Sequence, residues 1–395
     1  MDITIIPHKL HGALCAIPSK SQAHRLLICA AFADNETVLQ CPETNQDIEA
    51  TVRCLQSLGA EIARTQQEYI VQPITDVPQK AVLRCGESGS TLRFMLPIAG
   101  ALGVNATFVL DGRLPYRPLS PLWEVMERNG CRLTRPTETT IHCNGQLRSG
   151  CYSIDGSVSS QFITGLLFAL AILPGKNALT VTGKIESKPY IDMTKDALSR
   201  FSVNVDDFNV ASMRPFSSPV NITVEGDWSN GAFFLAANAL GNHVQISGLN
   251  DSSVQGDRAV KDILNIIEKP DMMIDAANIP DLVPILSVAA AAKHGATFTN
   301  IRRLRMKESD RVASVCAMLS QLGVNTEATE NSLRVIPAQF HGCTIDSAGD
   351  HRIAMSAAIA ATIADGPVTI TGAQCVSKSY PTFWDEYSRL GGQYE

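Results

Sequence analysis

The stretch CLQSLGAEIARTQQEYIVQP, Cys54–Pro73, reads as the end of an amphipathic helix, a closing glycine, and two short strands around a polar turn. Gly59 stands where a helix end turns left-handed, a geometry glycine adopts without steric cost. Beyond it the apolar residues alternate, in AEIAR and again in EYIVQ, which is strand period. The same order returns as VMERNGCRLTRPTETTIHCNG (Val125–Gly145) around Gly130, and as MLSQLGVNTEATENSLRVIP (Met318–Pro337) around Gly323. Fainter copies are ALSRFSVNVDDF (Ala197–Phe208) and YSRLGGQYE (Tyr387–Glu395). A sixth falls at ILNIIEKPDMMID (Ile263–Asp275), where the hairpin is trimmed. Such recurrence predicts an α/β chain of six βαβ-plus-hairpin units, three to a domain.

A chain of 395 residues exceeds what one core usually serves, which agrees with two domains. Between the third and fourth copies lies NITVEGDWSNGAFFLAANAL (Asn221–Leu240). A strand ends there at Val224, a Gly-Asp turn follows, and Ser229 or Asn230 is expected to cap the next helix. This is a natural domain crossing. The N-terminal MDITIIPHKLHG reads as a strand of the second lobe, so the chain is expected to cross twice, near Ile17 and near Glu225. The boundaries become 1–18 plus 226–395 for a C-terminal lobe and 19–225 for an N-terminal lobe, joined by a double crossover hinge.

Hydrophobic residues at 45% and charged residues at 18% are the balance of a soluble globular protein. A net charge of −6 argues against a general binder of nucleic acid or membrane surfaces, which carries a basic excess. Anion chemistry must then use locally concentrated cations. The start of the chain lacks the basic and apolar regions of an export signal, and FITGLLFALAILPG (Phe162–Gly175) is too short to span a bilayer, so it reads as a buried helix. Eleven scattered cysteines with no CxxC pair suggest neither a zinc site nor a disulfide framework, and reduced thiols fit a cytoplasmic protein.

Nine segments concentrate Ser, Lys, Arg and Gly: PSKSQAHR, CGESGSTLRF, DGRLPYRPLSPL, IDGSVSSQFITGLL, ESKPYIDMT, NIPDLVPIL, IRRLRMKESDR, GDHRIAM and SKSYPTF. Each alone has an ordinary structural reading, as a helix cap or a solvated charged face. Together they share a preference for phosphate and carboxylate. Hydroxyls, amides and helix N-termini suit a phosphate, whereas Arg suits a planar carboxylate.

These motifs, in this order and spacing and essentially end to end, resemble the 3-phosphoshikimate 1-carboxyvinyltransferase (EPSP synthase) family of enolpyruvyl transferases. The resemblance implies two lobes, each of three βαβαββ-type units in an inside-out, barrel-like arrangement, closing on anionic substrates. It implies transfer of the enolpyruvyl group of phosphoenolpyruvate to the 5-hydroxyl of shikimate 3-phosphate, with release of phosphate and no metal or organic cofactor. Carried over by position, Lys20, Ser21, Arg25, Ser159, Ser160, Gln161, Ser187, Asp281 and Lys307 contact shikimate 3-phosphate. Lys20, Gly89, Arg117, Gln161, Arg311, Arg352 and Lys378 contact phosphoenolpyruvate. Asp281 is the proton acceptor, Glu308 the acid at the methylene, and Lys20 completes the catalytic set. His24 has no role in this pattern. A cytoplasmic monomer with small-molecule partners is expected, without nucleic acid or membrane.

The chain departs from the family pattern in three places. Ile17 and Pro18 precede the Ser-Lys-Ser core, Arg303 stands where some relatives have Asn, and the fourth unit, residues 255–281, is shorter by about one hairpin. A UDP-N-acetylglucosamine enolpyruvyl transferase would show Lys-Asn near its start and usually a loop cysteine, whereas Lys20 is followed by Ser21 and DGRLPYRPL has no cysteine. A non-catalytic anion-binding relative would have lost Asp281, Lys307 or Glu308, and all three are present.

Overall fold

In the computed structural model, which describes residues 1–211 and 215–395, Gly59, Gly130 and Gly323 end their helices with φ of 108°, 115° and 89°. A Cβ at Gly59 would lie 2.4 Å from the Asp76 carbonyl oxygen, and one at Gly130 would lie 2.4 Å from that of Gln146. Glycine is therefore required there on both conformational and steric grounds. By contact the chain divides into two compact units, a central one of Pro18–Val224 and a terminal one of Met1–Ile17 with Glu225–Glu395.

The central unit carries α1 (Lys20–Ala31), α2 (Gln46–Ser57), α3 (Gly89–Leu102), α4 (Leu122–Arg128), α5 (Ser160–Ile172) and α6 (Lys188–Arg200). Its three sheets share one plan. Asn221–Thr223 runs parallel to Thr37–Gln40, which pairs antiparallel with Glu68–Gln72, and Glu61–Arg64 closes the hairpin. Lys80–Gly86, Asn105–Leu110, Thr140–Gly145 and Cys131–Thr137 repeat that order and those directions. So do Cys151–Asp155, Lys176–Thr182, Asn209–Ala211 and Val205–Asp206.

The helix α5 is apolar all round and correspondingly buried, as FITGLLFALAILPG led one to expect. It lies so close to α3 that a Cβ on Gly165 would come within 2.1 Å of the Arg93 carbonyl oxygen. This close approach sets the N-terminal turns of α3 and α5 side by side, with consequences for the site.

The terminal unit carries α7 (Trp228–Ala239), α8 (Val260–Ile267), α9 (Val283–Ala291), α10 (Arg311–Gln321), α11 (His351–Ala361) and α12 (Phe383–Arg389). Two of its sheets follow the same plan: Met273–Asp275, Ala296–Thr299, Ser332–Val335 and Thr326–Ala328, then Cys343–Asp346, Val368–Thr371, Ile3–Ile6 and Gln393–Tyr394. In the latter the first strand of the chain sits between two C-terminal strands. Among the described residues the third sheet has two strands, His11–Cys15 parallel to His243–Ser247. Here α8 leads through residues 268–272 directly into Met273–Asp275, with no hairpin between. The amide of Asn238 instead lies against Val244, its Oδ1 accepting from the Val244 N–H at 2.8 Å and its Nδ2 donating to the Val244 carbonyl at 2.7 Å.

Two expectations need correction. Among the described residues no sheet closes into a barrel: each is an open sheet of two or four strands with two free edges. The cap of α7 is Asp227, whose Oδ1 accepts from the Asn230 N–H at 2.9 Å, and Ser229 and Asn230 lie inside the helix. Among the described residues no helix is long and apolar enough to cross a membrane.

Candidate active site

In PSKSQAHR, Ser19 holds extended geometry and α1 starts at Lys20, so Lys20 and Ser21 occupy a first helical turn. The Lys20 Nζ donates to Asp47 Oδ2 at 2.9 Å, tying α1 to the start of α2. One turn on, Arg25 is buried among neutral acceptors. Its Nη1 donates to the Ser21 carbonyl at 2.6 Å, its Nη2 to the Tyr190 carbonyl at 2.8 Å, and its Nε to Thr194 Oγ1 at 2.9 Å. Burial without a carboxylate pushes the guanidinium down to about 10, so it remains charged at neutral pH. Arg25 thereby joins α1 to the first turn of α6, directly after Ser187, whose φ is 52°.

Gly89 opens α3 behind the cap Ser88. A Cβ on Gly89 would lie 2.6 Å from Arg93 Nη1 and 2.7 Å from Arg117 Nη1, so two guanidinium groups pack on bare backbone. Arg93 in turn donates to Gln161 Oε1 at 2.9 Å, and Gln161 Nε2 donates to Ser90 Oγ at 2.9 Å. Ser159 caps α5 by accepting from the Gln161 N–H at 3.3 Å, with Ser160 the first residue of that helix. Gly89, Arg117 and Gln161 therefore gather around Arg93, where two helix N-termini direct N–H groups and partial positive charge outward. Lys188 of the same motif family is paired with Asp192 at 2.7 Å on an exposed face.

The terminal unit assembles a different cluster. Arg302–Met306 forms one 3-10 segment, and α10 begins at Arg311 behind the cap Asp310. Asp281 Oδ1 accepts from Arg311 Nη1 at 2.8 Å and from Lys307 Nζ at 3.4 Å, and its Oδ2 accepts from Arg352 Nη2 at 3.1 Å. Arg311 also donates through Nη2 to Glu308 Oε2 at 2.6 Å and through Nε to Asp350 Oδ2 at 2.9 Å. Asp350 caps α11 and receives Ser309 Oγ at 3.1 Å. Lys378 Nζ donates to the Gly349 carbonyl at 3.1 Å, in the turn that leads to α11.

Burial opposes the charge on Arg311, but Asp350, Glu308 and Asp281 outweigh it and hold the guanidinium above its ordinary range. Burial likewise opposes the Asp350 charge, and Arg311 and His351 overcome it, leaving that carboxyl below the ordinary range. Burial draws the Lys307 ammonium down, against the pull of Asp281. Asp257, buried and accepting from Ser229 Oγ at 2.6 Å, is pushed up to about 7 by burial and then by the charge of Asp281.

The structure thus brings Asp281, Lys307, Glu308, Arg311 and Arg352 into one hydrogen-bonded cluster, and Gly89, Arg117 and Gln161 into another. Sequence reading passed over Asp350, Asp257, Asp47 and the part Arg93 plays. Asp350 had a signal, an Asp before an apolar helix in GDHRIAM. The others are tertiary partners with no local pattern. Arg303, left without a role, donates to the Ala277 carbonyl at 3.3 Å.

A family model described as EPSP synthase (3-phosphoshikimate 1-carboxyvinyltransferase) matches residues 5–387. The 3-phosphoshikimate 1-carboxyvinyltransferase of Clostridium kluyveri is 37% identical over 418 residues, covering 100% of this chain and 98% of that protein. That of Clostridium novyi is 36% identical over 425 residues, covering 99% and 98%. Among solved structures, EPSP synthase from Acinetobacter baumannii superposes with a TM-score of 0.80 at 23% identity, covering 100% of this chain and 99% of that one. The enolpyruvyl transferase NikO from Streptomyces tendae gives 0.74 at 16% identity, covering 100% and 98%. These two likenesses concern the fold.

Proposed function

The chain belongs to the EPSP synthase family, and we propose a division of the family's reaction among its side chains. The protein transfers the enolpyruvyl group of phosphoenolpyruvate to the 5-hydroxyl of shikimate 3-phosphate, releasing phosphate. The family match and the names of its relatives favour that acceptor over a UDP-sugar.

In the central unit, Ser21, Arg25, Ser159, Ser160 and Ser187 take the shikimate phosphate. Gly89 and Arg117 take phosphoenolpyruvate, and Lys20 and Gln161 serve both. In the terminal unit, Arg311, Arg352 and Lys378 hold phosphoenolpyruvate, Lys307 and Asp281 meet the shikimate hydroxyls, and Asp281 accepts the 5-hydroxyl proton. Glu308 delivers a proton to C3, which makes C2 electrophilic. The oxygen then adds at C2, the cations hold the phosphate and carboxylate of the tetrahedral adduct, and Glu308, now ionised, takes back a methyl proton as the bond from C2 to the phosphate oxygen breaks.

The observation that carries this reading is the sharing of Arg311 between Asp281 at 2.8 Å and Glu308 at 2.6 Å, with Arg352 on the second oxygen of Asp281. So paired, Asp281 is a poor base and Glu308 a poor acid. An incoming carboxylate that captures the guanidinium groups frees one to accept a proton and favours protonation of the other. Substrate binding is what arms the pair.

The common strand order of five sheets supports a reading of the fold as two lobes of three βαβαββ units, one unit lacking its hairpin. We assign the chain to residues 1–18 plus 226–395 and 19–225, working as a monomer in the cytoplasm. Phosphate release from purified protein tests the reaction. It should require both substrates, and no release above background with both bound would remove the assignment.

A further inference from the structure

We propose that His24 is a positioning residue that fixes Lys20 relative to the Ser88–Gly89 turn through two buried hydroxyls. The inference rests on the reading that Lys20 and Gly89 bind phosphoenolpyruvate. His24 is wholly buried on α1, one turn after Lys20, and its ring meets Phe94 of α3 edge-on at 6.3 Å. Its Nδ1 lies 2.8 Å from Thr51 Oγ1 on α2, which lies 2.8 Å from Thr91 Oγ1 on α3. The Thr91 hydroxyl then reaches Ser88 Oγ at 2.8 Å and the Asp47 carbonyl at 3.4 Å. Asp47 holds Lys20 through its carboxylate, so the path returns to α1 and closes. The starts of α1 and α3, which present anion-binding groups, are linked through the start of α2 by one polar circuit inside an apolar core.

Complete burial keeps the ring from touching a substrate directly. Burial and then the charges of Lys20 and Arg25 hold His24 well below its ordinary pKa, so the ring is neutral where the enzyme works. Stability alone does not account for it either. Among the described residues the Nε2 atom is buried with no hydrogen-bond partner, a cost that an apolar side chain in the same space would avoid. What a histidine adds there is the bond at Nδ1, and with it the alignment of α1 against α2 and α3.

Steady-state kinetics of three variants test this. His24→Leu should raise the KM for phosphoenolpyruvate about tenfold, the size of one buried hydrogen bond, with a smaller rise in the KM for shikimate 3-phosphate, which Lys20 also meets, and with kcat changed less than the KM for phosphoenolpyruvate. Thr51→Val, which cuts the circuit at its middle with little change of shape, should do the same, and the double variant should add nothing further. His24→Asn, which keeps a polar group near the Nδ1 position, should recover most of the loss. A Thr51→Val enzyme with unchanged KM, or a His24→Leu enzyme with a lower melting temperature and unchanged KM, overturns the proposal. If His24→Leu fails to fold, Thr51→Val decides. An unaltered chain that binds no phosphoenolpyruvate would instead remove the site reading itself.

Discussion

Arg25 and Arg311 are both buried arginines, and they are held in opposite ways. Arg25 is surrounded by two carbonyls and two hydroxyls, neutral acceptors that leave its charge uncompensated. Arg311 lies among three carboxylates, Asp281, Glu308 and Asp350. Burial lowers the one to about 10, while carboxylates lift the other above its ordinary range. The difference teaches what each region waits for. On the proposed assignment, the charge that Arg25 lacks is the one the substrate's phosphate would bring, whereas at Arg311 the substrate would displace a carboxylate already bound.

The largest effects should come from the two groups proposed to handle protons. Asp281→Asn should lower the rate of phosphate release about 1,000-fold, and Glu308→Gln about 100-fold, the latter with substrate affinity retained. Equal turnover in Glu308→Gln would take that residue out of the acid role. The two arginines separate next, in melts without ligand. Arg311→Met leaves Asp350 buried and unpaired and should cost about 3–5 kcal/mol. Arg25→Met removes a desolvated charge and should leave stability unchanged or raise it, while shikimate 3-phosphate binds about 100-fold more weakly. If both variants melt alike, the contrast between the regions fails.

Two smaller effects concern the terminal unit. A carboxyl raised to about 7 makes the folded state retain a proton that the unfolded chain has lost, so Asp257 lowers stability as pH rises from about 4 to 7. Asp350 has the opposite sign, with its contribution present at neutral pH and lost in acid below the ordinary carboxylate range. Asp257→Asn should therefore flatten the stability profile between about pH 4 and 7, measured by urea unfolding. Asn238→Ala removes two bonds to Val244 and should cost about 1 kcal/mol, with faster hydrogen exchange at the Val244 amide. An amide as protected as before would show that the side chain does not close that strand edge.

Much of this was legible locally. Helix-ending glycines and period-two alternation mark the hairpins at Gly59, Gly130 and Gly323, because both signals sit within a few residues. The sheet that combines Ile3–Ile6 with Gln393–Tyr394 was not readable as such, since its pairing joins the two ends of the chain. In the site, residue types gave the cations, hydroxyls and acids, because phosphate and carboxylate recognition needs those groups. Their partnerships were hidden. Nothing near His24 in the sequence announces Thr51, and nothing near Arg311 announces Asp350.

The exchange of partners at Asp281 is the central claim, and calorimetric titration with phosphoenolpyruvate alone tests it without turnover. Asp281→Asn removes the competing carboxylate from Arg311 and Arg352, so the variant should bind phosphoenolpyruvate about tenfold more tightly than the unaltered chain while losing phosphate release. Equal or weaker binding by the variant would contradict it.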